Sequence, residues 1–77
     1  MIAENEFLIF CNNVKHLREV HGLSKREMAK RLHVGVKTLE KLECGIFPDR
    51  LGVNILFRIH REFGIPPARQ LRPLNRA

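Results

Sequence analysis

The chain contains no tryptophan and no tyrosine, and phenylalanine supplies all five of its Phe, Tyr or Trp side chains. Cysteine is nearly as scarce: Cys11 and Cys44 stand alone, with no CxxC spacing. The histidines, His16, His21, His33 and His60, form no HxxxH pair. A metal centre needs three or four ligands at workable spacing, so no metal and no cofactor is expected. Acidic residues are few, 8 against 14 lysines and arginines. No nucleophile–base pair, carboxylate pair or phosphate-binding loop can be assembled from these residues, which argues against an enzyme. No apolar run approaches membrane-spanning length. The N-terminal MIAENEFLIFCNNVK has acids where an export signal needs bases, and its apolar core is too short. The expected location is the cytoplasm, with both thiols reduced.

What the sequence does have is a positive excess. The formal net charge is +6 over 77 residues, enough chain for one domain and close to the lower limit for a self-sufficient core. Dimerisation is therefore expected. An anionic partner is implied, nucleic acid ahead of a membrane surface. The charge is uneven: residues 1–23 hold Lys15 and Arg18 against Glu4, Glu6 and Glu19, and every other positive residue lies in 24–77.

The most informative stretch is 24–45, SKREMAKRLHVGVKTLEKLECG, which predicts two short helices joined by a tight turn. Ser24 is a natural N-cap, and Glu27 three residues later completes a capping box. Met28 and Leu32 lie four apart on one face, while Lys25, Arg26, Lys30 and Arg31 point elsewhere. The segment 33–35, His-Val-Gly, breaks the period. Leu39 and Leu42 share a face of a second helix over 36–44, and Gly45 stops it. Ala29 suits the place where the two helices pass closest, and Met28, Leu32, Val34, Leu39 and Leu42 would seal the angle. A helix-turn-helix explains the spacing, because the first helix props the second for a DNA groove. A plain αα-hairpin in a helical bundle is the blander explanation.

The rest of the chain reads as support. Residues 4–21 predict a first helix with Phe7, Phe10, Val14 and Leu17 on one stripe, ended by Gly22. Five consecutive apolar residues, 7–11, encircle that helix, so Leu8 and Ile9 must face away from the stripe; either the far end of the chain folds over them or they form a dimer or partner surface. A loop with Pro48 follows Gly45. A fourth helix is expected over 51–63, with Val53, Leu56, Phe57, His60 and Phe63 as its main stripe and Ile55 and Ile59 as a second face. Such a helix would be the most buried, with His60 packed at the core edge. Gly64 stops it, Pro66 and Pro67 start a short last turn, and Leu71 and Leu74 anchor that turn. Residues 75–77 are expected to fray.

Taken together, Leu17-Arg18, Gly22-Leu23-Ser24, Glu27-Met28-Ala29, Leu32, Val34, Thr38-Leu39, Leu42-Glu43, Gly45 and Phe63-Gly64-Ile65 resemble the lambda-repressor-like, Cro-type (XRE) helix-turn-helix family. The resemblance spans about 14–71. It implies an all-α, compact five-helix lambda-repressor-like domain with a central helix-turn-helix, binding double-stranded operator DNA as a homodimer with its third helix in the major groove. The expected division is an N-terminal extension of helix one over 1–13, the DNA-binding domain over 14–71, and a C-terminal tail over 72–77. The family's arginine of helix one falls on Arg18 and its glutamate of helix three on Glu43, implying an ion pair. Its phosphate-contacting position at the start of helix two falls on Lys25. Its base-facing positions fall on Gly35, Val36, Lys37 and Lys41, with Glu40 beside them either accepting from a cytosine or simply repelling phosphate. Further phosphate contacts would come from Gly45 and Arg50 in the following loop.

Three positions depart from the family pattern. The turn residue that is usually glycine is His33, which tolerates a left-handed conformation better than most. The usual serine or threonine cap of helix three is Gly35, whose missing side chain cannot accept a hydrogen bond. The loop before helix four is longer than the common form. Gly35 and Val36 leave the base-facing surface poor in hydrogen-bonding groups, which implies loose specificity or dependence on DNA shape. The expected function is a small DNA-binding regulator of transcription. The alternative is a protein-interaction module, antitoxin-like or an accessory subunit, that keeps the fold with weak or no DNA binding.

Overall fold

In the computed structural model, residues 4–46 and 54–74 are described. Helix α1, Glu4–Val20, buries Phe7, Phe10, Cys11, Val14 and Leu17 along one face, the i, i+3, i+4, i+7 pattern of a helix lying on a core. Leu8, on the opposite side, stays 46% exposed. The helix closes at Gly22, φ 65°, where Leu23 N–H donates to Arg18 O at 2.9 Å and Gly22 N–H to Glu19 O at 3.1 Å. This double bond pattern satisfies carbonyls that would otherwise end the helix unpaired.

Helix α2, Lys25–Leu32, begins on the capping box: Glu27 N–H donates to Ser24 Oγ at 3.1 Å and Ser24 N–H to Glu27 Oε1 at 2.8 Å. Its buried residues are Met28, Ala29 and Leu32. His33 then takes φ 59°, the one positive φ among described non-glycine residues, and Val34 N–H reaches back to Ala29 O at 3.0 Å. The chain thus turns in three residues into α3, Val36–Glu43, whose Leu39 and Leu42 are fully buried. Gly35 caps α3 without a side-chain bond. Ala29, 2% exposed, lies in the core beside Leu39 and Leu42.

Helix α4, Asn54–Phe63, presents a different face to the core than the one expected. Ile55 and Ile59 are buried, with Leu56 and Phe63 packed beside them, whereas Phe57 is 61% exposed and His60 is exposed. The helix is rotated by roughly a quarter turn from the expected stripe, at about 100° per residue. The rotation stacks two isoleucines at i, i+4 and leaves His60 in water, avoiding the cost of burying a polar ring. Nor is α4 the most buried element among the described residues; α1 contributes more of the core. Val53 lies outside the described residues, as does the start expected at 51.

The last helix is one turn, α5, Pro67–Gln70. Two buried amides hold it. Asn13 Nδ2 donates to Gln70 O and Arg72 O, each at 2.7 Å, and Asn13 Oδ1 accepts from Leu74 N–H at 3.0 Å. Gln70 Nε2 donates to Leu56 O at 2.7 Å and Ile65 O at 2.8 Å. Leu74 and the backbone of Arg72 are therefore tied to α1. In the first part of α1, Phe7 and Phe10 of the expected stripe belong to the core, and Cys11 joins them. The expected fraying of 75–77 lies outside the described residues.

The fold is all-α and compact: α2 packs on α3 and α4, α1 on α3 and α5, and α4 on α5. Among the described residues there is no strand, and no helix is long and apolar enough to cross a membrane.

Candidate nucleic-acid interface

The surface of interest is the outer side of α3, and its placement begins inside the protein. Leu39 and Leu42 point inward, so Glu40 and Lys41 between them, and Lys37 one turn earlier, point outward and are exposed. Val36 and Thr38 are half-buried at the edge, and Gly35 is exposed at the start of the helix.

Arg18 fixes the tilt of α3 against α1. Its Nε donates to Glu43 Oε2 at 2.9 Å and its Nη2 to Glu43 Oε1 at 3.1 Å, a two-pronged pair, and Nη1 donates to Leu23 O at 3.3 Å. The Glu43 side chain is only 5% exposed and that of Arg18 16%. The bond to Glu43 is also what pushes the Arg18 pKa above its ordinary value. A guanidinium suits this place because its planar fork matches the carboxylate. It links the first helix, the turn after it and the last turn of α3.

On the outer side, Lys25 Nζ lies 3.8 Å from Glu40 Oε2, with both side chains 48% exposed. This contact joins the first residue of α2 to the middle of α3. Sequence reasoning missed it, because no helical period relates residues fifteen apart in the chain. It also changes two expectations: the lysine offered to phosphate and the glutamate offered to cytosine face each other. A third cross-link, Arg31 Nη1 to Glu62 Oε1 at 3.9 Å, joins α2 to α4.

Gly45 does not supply a free donor for phosphate. It adopts φ 78°, and its N–H is spent on Leu42 O at 3.0 Å, while Ile46 N–H bonds Lys41 O at 2.9 Å. A Cβ at Gly45 would come within 3.1 Å of Leu8 Cδ2, so this turn sits against α1. Leu8 and the 54% exposed Ile46 therefore flank the end of α3. Ile9 is half-buried beside them in sequence. Arg50 lies outside the described residues.

A shallow groove where α2 meets α3 is lined by Arg26, Glu27 and Lys30 on the α2 side and by the uncharged Val34, Gly35 and Val36 at the start of α3. Neither this groove nor any other described part of the chain gathers three residues able to hold a metal ion. Cys11 is buried and Cys44 exposed, and both are free thiols.

No protein-family model matches the chain, and no curated protein and no solved structure matches it.

Proposed function

We propose that the chain is a small DNA-binding regulator of transcription that lays α3 in the major groove of double-stranded DNA. The observation that carries this reading is the pairing of Lys37 and Lys41, exposed on one helix, with an inner side locked by Leu39, Leu42 and the Arg18–Glu43 bond. A lysine at either position can donate to guanine N7 and O6, and Val36 can touch a thymine methyl. The net charge of +6 and the resemblance to the lambda-repressor-like family favour the same partner. Regulation would be steric, by occupying a promoter or operator, and two copies on a palindromic site are the expected assembly.

Fluorescence anisotropy with duplex DNA tests the reading. Affinity is expected to fall steeply with salt, as phosphate contacts release counterions. Replacing Lys37 with alanine is expected to cost about 1–3 kcal/mol at one base position and relax the preference there. If neither Lys37→Ala nor Lys41→Ala changes binding to any duplex, α3 is not in the groove.

A second reading, a protein-interaction module, is favoured by one observation: Leu8 and Ile46 expose apolar surface next to the end of α3. Replacing Leu8 and Ile9 with serine would then abolish a partner complex while leaving the monomer folded, as read by circular dichroism.

A further inference from the structure

We propose that Glu40 is a restraining carboxylate: it engages Lys25 in the free protein and thereby limits binding to DNA of arbitrary sequence. This rests on the DNA-binding reading above. Lys25 Nζ and Glu40 Oε2 are 3.8 Å apart, and both side chains are half in water. An exposed pair at this separation contributes little to stability, so a phosphate can displace the carboxylate from the lysine. The exchange is nearly even: Lys25 gains a phosphate only by giving up Glu40, which sits between Lys37 and Lys41 on the exposed side of α3. While Lys25 stays with Glu40 it neutralises no phosphate. The net number of phosphates neutralised is one fewer than the exposed lysines and arginines suggest.

This makes Glu40 a residue that sets affinity through Lys25, not one that reads a base, and the two roles predict opposite signs. If Glu40 restrains Lys25, Glu40→Gln binds a pooled random-sequence duplex several-fold more tightly than the wild type. The slope of log affinity against log salt also steepens by about one. In the Lys25→Gln background the same change at Glu40 produces little gain. Both positions are exposed, and unchanged helical circular dichroism and melting temperature would establish that all three variants fold.

The measurement is anisotropy titration of the wild type, Glu40→Gln, Lys25→Gln and the double variant across a salt series. Unchanged or weaker binding by Glu40→Gln overturns the inference, the weaker result being that of a base reader. An undiminished gain in the Lys25→Gln background also overturns it, because the carboxylate would then act on DNA directly. Both results leave the DNA-binding reading standing so long as the wild type binds with a steep salt slope. A wild type without affinity for duplex at any salt overturns both.

Discussion

Arg18 makes three hydrogen bonds to two acceptor residues, and the carboxylate it meets is almost entirely out of water. Removing either partner strands the other, at a cost on the order of 3–5 kcal/mol for a buried pair. A double-mutant cycle on Arg18→Met and Glu43→Gln is expected to show strong coupling in denaturant unfolding; additive losses would mean the two act separately. The thiols give a second contrast at this scale. Burial pushes Cys11 from 9.0 up to about 11, and its side chain is almost wholly covered. The unfolded chain releases that proton near the ordinary value and the folded chain only later. Alkali therefore favours unfolding: stability is unaffected by Cys11 below pH 9 and declines as pH rises toward about 11. Near neutrality, a brief alkylation of the native protein should add one label, on Cys44, as read by mass spectrometry; a label on Cys11 would mean that α1 opens readily.

At the scale of elements, the two short helices depend on how they start and stop. The backbone N–H of Ser24 holds the Glu27 carboxylate below its usual pKa. That contribution is present above the ordinary carboxylate value and fades as acid passes the lowered one. Ser24→Ala should cost about 1 kcal/mol. His33 carries the left-handed turn at φ 59° with a side chain that is exposed. A non-glycine residue there costs about 1–2 kcal/mol, partly offset because glycine loses more freedom on folding. His33→Gly is expected to raise the melting temperature modestly, and His33→Val to lower it clearly. Much of this level was legible in the sequence. Ser24, Glu27, His33 and Gly45 act within a few residues of themselves, where local rules hold. The face of α4 was not legible, because Phe57 and Ile55 are both apolar and only packing against α2 and α5 chooses between them.

At the scale of the whole molecule, contacts between distant parts of the chain were the hardest to foresee. The Lys25–Glu40 approach bridges two helices, and Asn13 on the buried face of α1 gave no signal beyond breaking an apolar stripe. Asn13 nevertheless satisfies two carbonyls and one N–H from residues 70–74. Asn13→Ala leaves those backbone groups unpaired and should cost about 2–4 kcal/mol. Hydrogen exchange at Leu74 would rise first; unaltered protection there would show that α5 is held by its apolar contacts alone. That clamp also orders events during synthesis. The amide is translated before its acceptors and donor, which lie 57 to 61 residues further along the chain. A nascent chain paused before residue 70 holds an open α1, so chaperones and proteases meet this protein in a form whose seam has not yet closed.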